Sequence, residues 1–197
     1  MLTTYVTLSA GDWLIQNAAN SGVGVDLIRL AHSKGIRTVN VVRREALIKP
    51  LRELGADVVV VDGPDLAQRV AKETANAALK LGIDAVAGAA SGRLTDCVTN
   101  GGTVINYGLL SGKPCQIDAF NFVFRGITMT GFWLAQLMRS MSFEQIQTMY
   151  DQLAMRLVDG TIGVDIEASY PLERVSDAMA HAKRESRGGK VHLRPNG

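Results

Sequence analysis

One-signed charge, paired cysteines and long apolar runs are all scarce in this chain, and each scarcity removes a class of function. Against 21 Lys and Arg stand 19 Asp and Glu. The cations are scattered singly or in pairs, so a net charge of +2 offers no basic footprint to DNA, RNA or an acidic membrane surface. No apolar run nears the roughly 18 residues of a membrane span, and Met1-Leu-Thr-Thr has neither the basic start nor the apolar stretch of a secretory signal. The cytoplasm is therefore the expected location. Cys97 and Cys115 form no CxxC pair, and His32, His181 and His192 are isolated, so no metal site is expected. Ser91, Cys97 and His32 lack base or nucleophile partners at any readable spacing, which argues against a hydrolase triad.

What is present points elsewhere. The stretch Trp13-Leu-Ile-Gln-Asn-Ala-Ala-Asn-Ser-Gly-Val-Gly24 runs from a short apolar strand into a small-residue turn and then into an amphipathic helix. Such a turn lets backbone N–H groups approach a pyrophosphate at a helix N-terminus, where the macrodipole also favours negative charge. The spacing departs from G-x-G-x-x-G: Ala19 and Ser21 stand at the first two glycine positions, Gly24 at the third, with Gly22 added. Nineteen residues after Gly24, where an acid would hold a ribose diol, stand Arg43 and Arg44. Two guanidinium groups there suit a 2′-phosphate.

Periodicity and punctuation predict the rest. Strands are expected at 13–16, 38–42, 58–61, 84–88, 103–107 and 127–130, with a short one at 191–193. Helices are expected at 22–34, around Leu47 to Leu54 with Pro50 kinking or opening it, over 65–81 closed by Gly82, over 89–100, and from Ser142 towards Gly160. Ser142-Phe-Glu-Gln145 has the capping-box arrangement, and Pro171 suits the first turn of a last helix. Asp84 and Asp118 read as caps or solvent-facing acids and carry no role. The expected fold is α/β, a doubly wound parallel six-stranded Rossmann sheet with helices on both faces. Its divisions are a lead-in at 1–12, the dinucleotide-binding domain at 13–160, and a C-terminal helix and strand at 161–197.

Four stretches, Gln16 to Gly24, Asn40-Val-Val-Arg-Arg44, Gly101 to Gly108 and Arg125 to Leu134, together resemble the medium-chain dehydrogenase/reductase superfamily, in its zinc-free branch of quinone oxidoreductases and 2-enoyl thioester reductases. The Gly-Phe-Trp-Leu segment ending at Leu134 is most similar to the mitochondrial-type enoyl thioester reductases. The resemblance implies NADP(H) as cofactor, with Asn20, Ser21, Gly22, Val23 and Gly24 at the pyrophosphate and Arg43 and Arg44 at the adenosine 2′-phosphate. By the same resemblance, Tyr107, Gly108, Leu109 and Leu110 lie at the nicotinamide ribose, and Phe132, Trp133 and Leu134 at the nicotinamide. Trp133 also reads as a core residue. Family members exceed three hundred residues and begin with a largely β catalytic domain, which the resemblance places ahead of Met1 together with the catalytic tyrosine. No catalytic residue is therefore assigned here, and Tyr5 receives no such role. Residues 161–197 would rejoin that domain, and the edge strand 127–130 would form a homodimer.

Two functions follow. The first is an NADPH-dependent oxidoreductase, or its cofactor-binding half, passing hydride to a conjugated carbonyl such as a 2-enoyl thioester or quinone. The second is a non-catalytic dinucleotide-binding module or truncated subunit.

Overall fold

Trp13-Leu-Ile-Gln is buried at every position, as an apolar strand must be when helices cover both faces of a parallel sheet. It forms β1 (Trp13–Gln16) of a computed structural model that describes residues 1–2, 4–184 and 188–195. On one side lie β2 (Arg37–Val42) and β3 (Val58–Val61), and on the other β4 (Leu79–Asp84), β5 (Thr103–Asn106) and β6 (Thr128–Gly131). The order is β3-β2-β1-β4-β5-β6, and every neighbouring pair is parallel. This is the doubly wound order.

Strand periodicity sends alternate residues to opposite faces. Val58 and Val60 join Trp13, Ile15, Val39 and Val41 beneath α3 (Leu66–Glu73) and α4 (Ala89–Cys97). Val59 and Val42 turn the other way, onto Ile28 of α1 (Gly22–Ser33) and Leu51 of α2 (Ile48–Glu53). Met1, Leu2, Val6 and Leu8 of the lead-in also pack on that second face, against the cluster of Leu14, Leu81 and Ile105.

Several expected boundaries move. The helix predicted to reach Leu81 stops at Glu73, because Ala75 (φ 51°) and Asn76 (φ 60°) turn left-handed and the Asn76 N–H closes onto Ala71 O at 2.7 Å. Leu79 to Asp84 is then free to be a strand, hydrogen-bonded to β1 on one side and β5 on the other. Ala77, Ala78 and Leu81 satisfy a helical period equally well; two strand neighbours outweigh that weak preference. Gly82 thus lies within a strand, and of the strand expected at 84–88 only Asp84 is in one; residues 85–88 form a loop with Ala87 and Gly88 at φ 63° and 62°. Pro50 falls in the first turn of α2, after a 3-10 turn at Glu45–Leu47, where its missing N–H has no intrahelical partner to lose.

Two short helices, α5 (Ala119–Val123) and α6 (Leu134–Ser140), were not anticipated. In α7 (Phe143–Val158) the capping box forms in full: Gln145 N–H donates to Ser142 Oγ at 3.2 Å, and Ser142 N–H to Gln145 Oε1 at 2.8 Å. Among the described residues no helix is long and apolar enough to cross a membrane.

The chain divides into two compact units, Met1–Thr161 and Ile162–Gly197. In the second, β7 (Ile166–Pro171) pairs in parallel with β8 (Lys190–Arg194), with α8 (Val175–Ala182) between them in sequence. Pro171 therefore ends β7 and caps the 3-10 turn Leu172–Arg174 that leads into α8, rather than lying within the first helical turn, and the strand expected at 191–193 has a partner within this chain. Side chains hold the unit together. His181 Nε2 meets Glu167 Oε1 at 2.8 Å and His181 Nδ1 meets the Tyr170 hydroxyl at 2.9 Å, while Glu167 Oε2 accepts the N–H groups of Gly188 and Gly189.

Candidate functional site

Because all six strands run one way, their carboxyl ends share one edge, and the strand order reverses between β1 and β4. Open sheets of this kind bind ligands at that point. The turn after β1 passes through Ala18 at φ 48° and closes with the Ser21 N–H on Ala18 O at 2.9 Å. Ser21 then caps α1, its Oγ accepting the Gly24 N–H at 3.1 Å. The N–H groups of Gly22 and Val23, at the start of the helix, have no intrahelical acceptor. Asn20, Gly22 and Val23 are exposed, Ser21 is half-buried and Gly24 is buried.

Gly24 is glycine for a steric reason. A Cβ there would lie 2.5 Å from Ala19 O and 2.8 Å from Ala19 Cα, inside any permitted contact. Beneath the turn, Gln16 Nε2 donates to Gly24 O at 2.9 Å and to Asn40 Oδ1 at 2.8 Å. Asn40 in turn donates to Thr38 Oγ1 at 2.9 Å and Val58 O at 3.1 Å. A buried amide ladder thus ties the turn to β2 and β3, and buried networks with every member satisfied rigidify what they join.

Arg43 and Arg44 follow β2 directly, Arg43 exposed and Arg44 half-buried. The acid at the neighbouring strand end, Asp62, is engaged with Arg93 of α4 in a two-point ion pair at 2.7 and 2.6 Å.

On the other side of the reversal the organising group is Asp84, fully buried at the end of β4. Its carboxylate accepts from Asn17 Nδ2 at 2.6 Å, Val86 N–H at 2.9 Å, Ala87 N–H at 3.1 Å, Asn106 Nδ2 at 3.1 Å and the Ser91 hydroxyl. Asn17 Oδ1 also accepts the Ala85 N–H at 2.7 Å. Burial alone would raise the Asp84 pKa; the bonds from Ser91, Asn17, Ala87 and Val86 outweigh it and hold the group below the ordinary aspartate value. Next to it are Tyr107 and Gly108, both half-buried. Burial raises the Tyr107 pKa, the Ser21 hydroxyl beside it opposes this, and the charge of Asp84 adds to the rise. Gly108 also sits too close to carry a side chain, since a Cβ would lie 2.7 Å from Ala85 O.

Leu109, Leu110, Trp133 and Leu134 are exposed by 66, 71, 61 and 51%, and Phe132 is half-buried. The core alternative for Trp133 therefore fails; its ring lies under the Arg139 guanidinium, 5.5 Å from the centroid. Tyr5 of the lead-in donates to Gly131 O at 3.3 Å. Burial pushes the Cys97 thiol up to about 12, so it supplies no thiolate. Among the described residues no group of three or more His, Cys, Asp or Glu could hold a metal ion.

The structure thus places every sequence-predicted site residue in a segment leaving a strand at the same edge. Sequence reasoning missed the polar framework beneath them: Gln16, Asn17, Asn40, Asp84, Ser91 and Asn106. The available signal is Asp84 at the end of an apolar run, and it is hidden because Leu79 to Leu81 fall within the predicted helix and Asp84 then reads as the start of a strand instead of its carboxyl end. Asp118 does act as a cap, accepting the Phe120 N–H at 2.8 Å.

Residues 22–154 match the family model described as zinc-binding dehydrogenase. The chain is 34% identical to the mitochondrial enoyl-[acyl-carrier-protein] reductase of Dictyostelium discoideum over 98% of its own length and 56% of that protein's. Among solved structures it is similar to the mitochondrial 2-enoyl thioester reductase Etr1p/Etr2p heterodimer of Candida tropicalis (TM-score 0.84, 22% identity, 96% of this chain and 56% of that one). It is also similar to the Etr1p complex with NADP and crotonyl-CoA (TM-score 0.81, 23% identity, 93% and 55%). The chain spans a little over half the length of these proteins. One expectation is overturned: curated relatives at this level of identity are named mitochondrial, so the cytoplasmic location inferred from the first residues does not stand.

Proposed function

The chain belongs to the zinc-binding dehydrogenase family, in the enoyl reductase and quinone reductase branch of the medium-chain dehydrogenase/reductase superfamily, and from this premise we propose that it binds NADP(H) and serves hydride delivery to a conjugated carbonyl, such as a 2-enoyl thioester or a quinone. The observation that carries the reading is one edge on which a small-residue turn at a helix N-terminus, closed on a glycine that admits no Cβ, adjoins two arginines at the next strand end. When bound, NADPH supplies the hydride. Asn20 to Gly24 hold the pyrophosphate, Arg43 and Arg44 the 2′-phosphate, Tyr107 to Leu110 the nicotinamide ribose, and Phe132 to Leu134 the nicotinamide face.

The arginines decide cofactor choice. A 2′-phosphate carries close to two negative charges, and the planar guanidinium fork matches its oxygens. Hydrogen bonds to charged groups contribute about 1.5 to 3 kcal/mol each, so one effective arginine gives a preference of roughly ten- to a hundred-fold for NADPH over NADH. Replacing Arg43 and Arg44 together by Ala is expected to weaken NADPH binding by that factor and leave NADH nearly unchanged. Titration of both cofactors at fixed salt checks this; equal affinities in the wild type, or parallel losses in the variant, would refute the role of the pair.

The exposure of Leu109, Leu110, Trp133 and Leu134 favours a second reading of this chain taken alone, a binding module. Water reaches the nicotinamide end, and a wet site weakens every electrostatic contribution to hydride transfer. The isolated chain is therefore expected to bind NADPH and turn over crotonyl thioester slowly. Rates near the enzyme median of about 10 per second would remove this reading.

β6 is an edge strand, and the preceding helix leaves Phe120, Val123 and Phe124 exposed. Such an edge invites pairing, and the similar Etr1p/Etr2p protein is a heterodimer. Here the edge serves a homodimer. Sedimentation should show a mass that rises with concentration towards twice 21.2 kDa; a concentration-independent monomer contradicts it.

A further inference from the structure

Among the described residues one charged side chain is buried, and phosphate binding does not use it. Asp84 is fully buried, and its five hydrogen-bond donors are two amide side chains, a hydroxyl and two backbone N–H groups. None of these carries a positive charge. The arginine of the adjoining helix, Arg93, has its guanidinium on Asp62 instead. A carboxylate satisfied only by dipoles keeps its full charge, and its field passes through protein rather than water.

Its position decides what that field acts on. Arg43 and Arg44, at the end of β2, mark the adenosine end of a dinucleotide lying across the strand-order reversal. The other half of the ligand then falls over the ends of β4, β5 and β6, where Asp84, Tyr107 and Phe132 stand. Asp84 also raises the pKa of the Tyr107 phenol, so its field extends into that side of the crevice.

Resting on the NADP(H) reading above, we infer that the buried Asp84 carboxylate favours the oxidised, positively charged nicotinamide over the reduced, neutral one, making the bound cofactor a stronger hydride donor. The two cofactor forms share the pyrophosphate and the 2′-phosphate and differ by one unit of charge on the nicotinamide. A group that only braced the loops would serve both alike. At an effective dielectric of about 20, one unit charge in the neighbourhood of another changes an equilibrium constant by roughly tenfold.

The test is the variant Asp84→Asn, which keeps an acceptor for Asn17, Val86 and Ala87 and can donate to the Ser91 hydroxyl. Dissociation constants for NADP+ and NADPH are measured on wild type and variant at the same pH and salt. The ratio of the NADP+ constant to the NADPH constant is expected to rise roughly tenfold in the variant, a shift of about 30 mV in the potential of the bound two-electron couple. An unchanged ratio, with both affinities kept or both reduced in parallel, assigns Asp84 a bracing role and overturns the inference. Should the variant not fold, the wild type decides: NADP+ bound at least as tightly as NADPH supports the inference, and weaker binding of NADP+ overturns it. A wild-type chain that binds neither form refutes the NADP(H) reading itself, which is a distinguishable result.

Discussion

Replacing Gly24 by Ala is expected to reduce NADPH affinity at least a hundredfold, roughly, and to destabilise the fold by about 1 to 3 kcal/mol. The added methyl group would lie 2.5 Å from Ala19 O and 2.7 Å from Ala19 C, and neither side can yield easily. Ala19 is fully buried with its N–H on Val41 O at 3.3 Å, and the Gly24 carbonyl holds the buried Gln16 amide. Relief therefore moves the turn away from the helix, and with it the N–H groups proposed to hold the pyrophosphate. A displacement near 1 Å at a positioned group costs on the order of a hundredfold. Cofactor titration beside urea unfolding separates the two losses. Near-wild-type affinity in the variant would show that the turn is not where the pyrophosphate sits.

Asp84→Ala is expected to cost about 3 to 5 kcal/mol at pH 7 and to lower Tm by roughly 10 °C, because it strands several buried donors at once. Asn17, Ser91 and the N–H groups of Val86 and Ala87 lose their Asp84 acceptor, and Asn106 keeps only Gly108 O. The pH dependence has a definite sign. The folded-state pKa of Asp84 lies below its ordinary value of 3.8, so the carboxylate binds a proton more readily in the unfolded chain. Its contribution is complete above 3.8 and fades as pH falls through the lower folded value. The stability gap between wild type and variant should thus be widest near neutrality and narrow in acid. Urea unfolding at a series of pH values reads this directly. A loss under about 1 kcal/mol at pH 7, or a gap that widens in acid, would mean that water or a rearranged amide replaces the carboxylate.

Much of the fold was legible because its signals are local. The β-branched runs 38–42 and 58–61 became β2 and β3 within a residue of their predicted ends. Ser142 and Gln145 satisfy each other's backbone N–H groups within a single turn of chain. The segments expected at the site were legible for a related reason: in a parallel sheet every strand ends at the same edge, so a correct element order alone brings 20–24, 43–44, 107–110 and 132–134 to one side. Compartment was not legible, since the absence of a signal in one N-terminal stretch is no evidence about a leader, and the mitochondrial names of the relatives corrected it.

The sequence by itself therefore determined the alternation of strands and helices, the turn after β1 and the arginine pair after β2, all of which depend on neighbours within a few residues. Tertiary structure decided the rest. Leu79 to Asp84 is a strand because β1 and β5 each present a free row of backbone groups, a condition that no window around residue 80 contains. Pro171 closes a strand because β8, some twenty residues on, lies beside it. Asp84 is a buried charge only because donors at positions 17, 91 and 106 converge on it; the cost of desolvating a carboxylate is met by partners distant in sequence, and only the closed fold assembles them.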